Sequence, residues 1–293
     1  MKLLAKFNLV FILVFGSGLA VAGFLSYRFL RENARAQVLQ DAHLMMETMR
    51  SARNYTTVQV KPLLERVQAR DRSFLPQTVP AYAATETFNY LRARYPDYAY
   101  KEASLNPTNP RDRAVDWEAD LINTFRNHAD RKILTGERDT PEGASLFLAQ
   151  PITADPPCLS CHDRADDAPP AMVRRYGRDN GFGWKRGEIV GAQIVSVPMA
   201  LPAGMAEKAF HAVLLYLALI FVVSLVLLDV LLLFTIVRPV SNLSRMADQI
   251  SLGKLDSPEL PVTGKDEISV LAGSFNRMRR SLVSALKLLD SQE

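Results

Sequence analysis

The chain has 293 residues with a formal net charge of +4 at pH 7, and 48% of its residues are hydrophobic. Its charged residues lie in mixed-sign segments, with no basic block and no platform of interleaved basic and aromatic residues. This distribution excludes the usual nucleic-acid-binding classes, and we expect no nucleic-acid partner.

The first predicted element is an apolar helix that starts at Phe7, where 21 residues up to Tyr27 pass without a charge. At about 1.5 Å of rise per residue, this length is enough to span a bilayer. A cleaved signal peptide is the alternative, because Lys2 and Lys6 make a short basic start and GLAVAG offers small residues. Since the apolar run is longer than a usual signal-peptide core, we predict a retained transmembrane helix over residues 7–29.

The residues between this helix and a second apolar segment, 30–210, are predicted to form one extracytoplasmic domain. Its first part, residues 30–65, is predicted to be a long helix that continues the span, because it is almost free of Gly and Pro. Residues 66–115 contain five prolines, which indicate short helices and loops. A helical period returns over residues 116–136 and stops at Gly136.

Two strands are predicted in the second half of this domain. One is ASLFLAQPI, and the other is GEIVGAQIVSVPM over residues 187–199, which is rich in β-branched residues. A final helix is predicted to begin near Pro202 and to enter the second apolar segment. The predicted fold class is therefore α+β.

Both cysteines of the chain lie between the two predicted strands, in PPCLSCHDR at residues 156–164. A C-x-x-C-H motif is compatible with a redox disulfide, a zinc site or covalent attachment of haem c. Structural zinc takes four Cys or His ligands, usually as two spaced pairs, and a thioredoxin-like motif does not require the following His. We therefore predict one covalent haem c, with Cys158 and Cys161 bound to its vinyl groups and His162 as an iron ligand.

The second apolar segment is predicted to be a transmembrane helix over residues 212–237. Arg238 and Arg245 follow it, which favours a cytoplasmic C-terminal side. The same rule does not decide the orientation of the first span, because arginines also follow that helix. The predicted haem decides it, because haem c is attached outside the cytoplasm. The sequence therefore predicts an integral protein of the bacterial inner membrane, with the haem domain in the periplasm.

Asp229 is the one charged residue inside the second apolar segment. An intramembrane carboxylate is costly unless it is neutral, paired or hydrated. Two interpretations are open: a protonated or hydrated acid at a dimer seam, and a contact with another membrane subunit.

The tail, residues 238–290, has the pattern of two short amphipathic helices joined by an extended connector. Pro239 opens the first helix, Gly253 ends it, and prolines follow in the connector. The second helix repeats apolar residues at spacings of three and four, at Ile268, Leu271, Phe275, Met278 and Leu282.

These two helices, with Asp266 and Glu267 opening the second one, resemble a cytoplasmic HAMP domain over about residues 236–289. Ser269 stands where such families often have Gly. The resemblance implies a parallel four-helix bundle in a homodimer that relays motion from the membrane helices. An amphipathic helical pair on the inner leaflet is the alternative. Because only about four residues follow the second helix, we expect a separate cytoplasmic signalling protein as the output partner.

A second resemblance is carried by three stretches between the spans, RNYTTVQVKPLL (53–64), LAQPITADPPCLSCH (148–162) and NGFGWKRGEIVGAQIVSVPM (180–199). Together with the order of elements, they resemble a PAS-type sensor domain and, more specifically, the Tll0287-like family of periplasmic haem c sensors. The resemblance covers most of residues 30–205 and implies a PAS-like haem domain with the N-terminal helix against the haem.

The sixth iron ligand is predicted to come from that N-terminal helix. Met46 and Met49 are the predicted donors, because they are three residues apart and share one face. His43, His128 and an open or water-bound iron are the alternatives.

Three further residues are predicted to contact the cofactor. Arg53, a turn beyond Met49, could pair with a haem propionate. Tyr55 and Trp184 are expected to pack near the macrocycle.

Two functions are compatible with these predictions. The first is a membrane sensor in which haem c reports redox state or a small ligand through the HAMP dimer. The second is a membrane-anchored cytochrome that passes electrons within a respiratory or photosynthetic complex. The tail helices favour the sensor, because an electron carrier does not need them. No acid–base or nucleophile arrangement accompanies the motif, so we do not expect an enzyme.

Overall fold

The structure is a computed structural model and describes residues 3–141, 143–254, 258–262 and 264–290. It divides into two units. Residues 28–209 form one unit, which carries the sheet and the cysteine motif. Residues 1–27 and 210–293 form the other, which carries the apolar helices and the tail.

A long N-terminal helix opens the chain, as predicted. Helix α1 runs over Leu3–Tyr55 and passes through a π-helical turn, Thr56–Val60, into α2, Lys61–Asp71. Pro62 falls at the start of α2. A proline inside a helix lacks an N–H and clashes with the carbonyl four residues earlier, and the wider π turn relieves both problems. The helical run ends at Arg72, which has a left-handed backbone with φ 46°.

In the part of the sheet-bearing unit that the structure describes, there are four strands and, besides α1 and α2, four short α-helices. The helices are α3 (Pro80–Arg92), α4 (Asp116–Asn127), α5 (Pro156–His162) and α6 (Pro170–Tyr176). The strands are β1 (Ala99–Ser104), β2 (Leu134–Thr140), β3 (Gly143–Thr153) and β4 (Ile189–Pro198). They form one antiparallel sheet in the order β1-β4-β3-β2, which confirms the predicted α+β class.

The sheet has a hydrophobic cluster on each face, because side chains alternate along a strand. On one face, Leu146 and Leu148 of β3 lie in a buried cluster with Met46 and Met49 of α1. On the other face, Ala149 of β3 lies in a cluster with buried residues of α4. Helices α1 and α4 therefore cover opposite faces of the sheet.

The predicted helix over residues 116–136 was wrong in its second half. Helix α4 ends at Asn127, and Gly136 lies inside β2, directly opposite Phe147 of β3. A Cβ atom at Gly136 would come within 2.7 Å of the Phe147 ring, so glycine lets that ring lie across the hairpin. The glycine serves close strand packing and does not end a helix. Strand β1 was also missed, because its sequence AYKEAS has few of the residues that strands favour.

The two apolar helices of the chain pack as an antiparallel pair within their unit. Helix α7, Ala200–Leu232, continues through a π-helical turn, Leu233–Val237. Contacts with α1 follow one antiparallel register: Tyr27 meets Phe210 at 5.3 Å between ring centroids, and Asn8 donates to Asp229 over 3.1 Å. Both helices are long and apolar enough to cross a membrane.

The tail contains the two predicted helices, α8 (Arg238–Ser251) and α9 (Glu267–Asp290). Leu243 of α8, Leu260 of the connector and Ala272 of α9 form a small buried core. Asn276 fixes the connector to α9, because its buried side chain accepts from the Leu260 N–H at 3.1 Å and donates to the Leu260 carbonyl at 2.8 Å.

We predict that Asn276→Ala will release this connector. The substitution leaves a buried N–H and a buried carbonyl without partners, which costs about 1–3 kcal/mol. Hydrogen exchange should show a much faster rate for the Leu260 amide. Ser274→Ala is the control, because Ser274 is exposed and its hydroxyl bonds within its own helix, to the Val270 carbonyl and to Arg277. Equal exchange rates at Leu260 in the two variants would contradict the role given to Asn276.

Candidate functional site

The cysteine motif lies on a short helix just past the end of β3. Asp155 has an extended backbone and starts α5, and prolines occupy the first helical turn, where their missing N–H groups cost nothing. Cys158 and Cys161 are three residues apart on this helix, so their side chains share one face. Both are free thiols and half-buried. Helix α5 thus presents two sulfur atoms side by side and ends at His162.

The tautomer of His162 is determined by its hydrogen bonds. Its Nδ1 lies 2.7 Å from the carbonyl oxygen of Gly181 and 3.3 Å from Oγ1 of Thr108. A carbonyl can only accept, so Nδ1 must carry the hydrogen, and a neutral imidazole then has its lone pair on Nε2. Burial lowers the pKa of His162, and the bond to Gly181 offsets this only in part. His162 is therefore held as a neutral ring with Nε2 ready to bind a metal ion.

The ring of His162 is also fixed from one side by Trp184. The two rings stack at 4.1 Å between centroids and 13° between planes. Backbone bonds attach the same segment to the motif: the Trp184 N–H donates to the His162 carbonyl at 3.2 Å, and the Gly183 N–H donates to the Asp163 carbonyl at 2.7 Å. The structure therefore places Trp184 against His162, and its predicted packing near the macrocycle stays a prediction.

Two residues of the loop after β1 complete the support of His162, and neither was found from the sequence. Asn106 Oδ1 accepts from the Gly181 N–H at 3.2 Å. Thr108 packs so closely against Gly181 that a Cβ atom there would lie 2.0 Å from its Oγ1. Gly181 also has φ of +84°, a conformation that glycine adopts readily. The glycines of NGFGW in the sequence indicate a turn at Gly181. The loop after β1 that contacts this turn could not be identified, because it is distant in sequence.

Arg53 lies close to the motif but already has a partner. Its guanidinium pairs with the buried carboxylate of Glu102 on β1, and its electrostatic environment includes Cys158. The Tyr100 hydroxyl donates to Glu102 at 2.7 Å and accepts from Gln193 of β4 at 3.3 Å. Burial is the main cause that raises the pKa of Tyr100, and the negative charge of Glu102 raises it further, so the hydroxyl stays protonated. This network ties α1 to the two neighbouring strands β1 and β4.

The ion pair with Glu102 does not rule out a second partner for Arg53. A guanidinium carries five N–H donors, and the contact with Glu102 uses one of its terminal nitrogens. The Arg53 side chain keeps 27% of its surface exposed. The predicted propionate contact therefore stays a prediction.

The other predicted ligands fall into two groups. Met46 is fully buried and Met49 is 4% exposed, both in the cluster between α1 and the sheet. His43 is half-buried on α1, whereas His128 is exposed at the end of α4, on the opposite face of the sheet from α1. Which of these residues binds the iron stays a prediction.

Tyr55 lies on the outer side of α1, with 62% of its surface exposed. It borders a shallow surface depression together with Glu47, Arg50 and Ser51. The structure does not bring Tyr55 to His162 or to the cysteines. Among the described residues, no group of three or more His, Cys, Asp or Glu side chains is arranged to hold a metal ion.

Comparison with known proteins gives two family matches. The family model described as Tll0287-like matches residues 31–198, and the HAMP domain model matches residues 231–284. These matches confirm both resemblances that the sequence motifs carry. Among solved structures, the chain is similar to the crystal structure of the cyanobacterial heme-protein Tll0287, with 16% identity and a TM-score of 0.41 over 55% of this chain and 94% of that chain. A comparison with curated proteins gives no match.

We predict that Gly181→Ala will be more damaging than Gly183→Ala. Both glycines have φ near +80°, at +84° and +79°, so alanine costs about 1–2 kcal/mol at either position. Only Gly181 meets a neighbour within 4 Å, so its variant should lose about a further 1–3 kcal/mol and displace the carbonyl from His162. Thermal unfolding measures the first effect, and nitrogen NMR of the imidazole measures the second.

Gly183→Ala is the matched control, because it has the same backbone strain without the clash. It should leave the His162 tautomer unchanged. Equal stability of the two variants, or an unchanged His162 spectrum in Gly181→Ala, would contradict the role given to Gly181.

Proposed function

Because the chain belongs to the Tll0287-like family, we propose that it is a membrane-bound sensor in which one covalent haem c reports redox state or a small ligand through a HAMP dimer. The observation that carries this proposal is the geometry of the C-x-x-C-H motif. Two thiols lie side by side on α5, and the next residue is a neutral imidazole whose Nδ1 is occupied by Gly181.

The residues of the motif fit haem c in the roles that the sequence predicts for them. Each thiol can add across a haem vinyl group, which forms a thioether and needs no oxidant. His162 Nε2 would bind the iron while Gly181 holds the ring through Nδ1. When bound, haem supplies a one-electron redox couple and one further coordination position. Arg53 would pair with a propionate, and Trp184 would hold the imidazole plane.

The proposed topology follows from the attachment chemistry. Haem c is attached outside the cytoplasm, so the sheet-bearing unit would be periplasmic in a bacterial inner membrane. The apolar helices on either side of it are long enough to span that membrane. The HAMP helices would then lie in the cytoplasm, with Arg238 and Arg245 at the inner surface.

The proposed relay uses two covalent connections from the haem unit to the spans. Helix α1 contains the first span and also Arg53, which is tied to β1 through Glu102. Strand β4 ends at Pro198 and α7 begins at Ala200, so one residue joins the sheet to the helix that contains the second span. A change at the haem that shifts α1 against β4 would therefore move one span against the other.

The proposed output is a homodimeric HAMP bundle that acts on a separate cytoplasmic signalling protein. Leu271 and Met278 are 52% and 59% exposed on α9 and Leu282 is 43% exposed, whereas Phe275 packs against the buried core of the tail. These residues lie on one face at heptad spacing, which suits a seam with a second copy. We propose no catalytic role.

Covalent attachment is tested by whether the haem stays on the chain after denaturation. Because thioether bonds survive denaturation, the full chain should keep its haem through a denaturing gel and stain for peroxidase activity. Cys158→Ala with Cys161→Ala should lose the stain. A wild-type chain that loses its haem on the gel would contradict the proposal. Haem retention together with stoichiometric co-purification of a redox complex would instead favour the electron carrier.

The sixth ligand is tested with volume-conserving substitutions. Met49 is the candidate tested first, because it lies one turn from Arg53, the predicted propionate partner. Met49→Leu should abolish the near-infrared sulfur-to-iron absorption of the oxidised protein and lower its reduction potential, while costing less than about 1.5 kcal/mol of stability. Met46→Leu, in the same cluster, is the control. A band that survives both substitutions, or that is missing from the wild type, would exclude these methionines.

The dimer seam is tested by cysteine crosslinking in membranes. Leu271→Cys should form a disulfide with its counterpart, because it lies on the proposed seam. Arg280→Cys is the control, since Arg280 lies on the opposite side of α9 and its side chain is 63% exposed. Both variants should carry haem, so that the native thiols are not available. Equal crosslinking at the two positions would argue against the parallel HAMP dimer.

A further inference from the structure

The two apolar helices share a polar contact, within the unit that does not carry the cysteine motif. Asn8 lies near the start of α1 and Asp229 lies in the last third of the apolar part of α7. The Asn8 Nδ2 donates to the Asp229 Oδ2 over 3.1 Å. Both side chains belong to the same unit, and the contact follows the antiparallel register of the other contacts between these helices.

One side-chain oxygen of each residue has no hydrogen-bond partner among the described residues. Asn8 Oδ1 and Asp229 Oδ1 are both buried, and neither takes part in a hydrogen bond among the described residues. An amide oxygen and a carboxylate oxygen are both acceptors, so they cannot satisfy each other. A buried acceptor without a donor costs free energy, and the cost is several kcal/mol in the hydrocarbon of a membrane.

Among the residues that the structure describes, no positive charge pairs with the Asp229 carboxylate. The segment from Phe7 to Tyr27 has no charged residue, and Asp229 is the one charged residue between Ala212 and Val237. Lys6 is exposed and lies two positions before Asn8, which directs it away from the Asn8 side of the helix. Arg238 lies over the ring of Phe234 at 4.2 Å. Asp229 forms no ion pair within the part of the chain that the structure describes.

We propose that Asn8 and Asp229 form an intramembrane proton-binding site, in which a proton on Asp229 Oδ1 is donated to Asn8 Oδ1. A single proton then turns two unpaired acceptors into a donor and an acceptor. The pair becomes a closed ring of two hydrogen bonds, from Asn8 Nδ2 to Asp229 Oδ2 and from Asp229 Oδ1 to Asn8 Oδ1. The carboxyl group is neutral in this ring, which removes the cost of a charge in the membrane.

This site links the packing of the two spans to a bound proton. With the proton, two hydrogen bonds hold α1 and α7 in one register. Without it, a negative carboxylate faces the Asn8 carbonyl oxygen, and the pair loses one bond and gains a repulsion. The inference requires that the helices lie in a membrane, and it does not depend on haem binding.

Infrared spectroscopy of the full chain in lipid vesicles tests the proposal. With carbon-13 in the aspartate carboxyl groups, a protonated-carboxyl C=O band should be identified by its isotope shift. It should persist at mildly alkaline pH, where Asp112 no longer contributes, because burial raises the pKa of that residue only to about 6. Asp229→Asn should remove the band. Asn8→Leu should move it to higher frequency, because the carbonyl loses the Asn8 donor.

Ser17→Ala is the control for substitution on the same helix. Ser17 is exposed and bonds to the Val14 carbonyl of its own turn, so its loss should leave the band in place.

If the wild type shows only ionised aspartates at this pH, the proposal is wrong. It is equally wrong if the band survives Asp229→Asn or does not move in Asn8→Leu. The labelled wild-type protein tests the protonation of an aspartate by itself. A variant that inserts poorly into vesicles therefore does not prevent the test. The same spectra should be obtained from Cys158→Ala with Cys161→Ala, which separates this site from haem attachment.

Discussion

The bond from His162 Nδ1 to the Gly181 carbonyl, 2.7 Å long, is the interaction on which the site depends. Without it the imidazole could rotate or carry its hydrogen on either nitrogen. With it, Nε2 is the atom available to a metal, directly after two thiols on one helix face. The bond in turn depends on a close approach: Thr108 contacts Gly181 so tightly that no side chain fits, and Asn106 holds the Gly181 N–H. A loop after β1 and a loop before β4 therefore prepare the histidine before any cofactor is bound.

Buried polar contacts also fix the other parts of the chain where apolar packing alone would allow sliding. Glu102 ties Arg53 of α1 to the sheet, and Asn276 ties the connector to α9. Asn8 and Asp229 set the register of the two apolar helices. Apolar contacts are non-directional, so a helix against a smooth apolar surface can shift by a turn at low cost. A buried polar pair makes such a shift expensive, because each separated group would lose its partner. In a sensor of the proposed kind, these contacts would define the resting arrangement from which a signal departs.

The motif, the two apolar helices and the HAMP pattern could be predicted from sequence because each is local. Two thiols and a histidine within five positions, or an apolar run of 21 residues, depend on no distant contact. The support of His162 could not be predicted in this way, since Thr108 and Asn106 meet Gly181 only after the sheet has formed. Gly136 was wrongly predicted to end a helix for the same reason. Its role is to accommodate the Phe147 ring across the β2–β3 hairpin. The partner of Asp229 was also hidden, because Asn8 lies 221 positions away.

In the proposed sensor the oxidation state of the haem changes the HAMP seam, and photocrosslinking of that seam tests this coupling. A photoreactive amino acid at Leu282, which is 43% exposed on α9, would be irradiated in vesicles poised with an oxidant or a reductant. The account predicts a different yield of crosslinked dimer in the oxidised and reduced states, and no difference in Cys158→Ala with Cys161→Ala. Equal yields in both states, from wild-type protein whose haem is seen to change oxidation state, would contradict it.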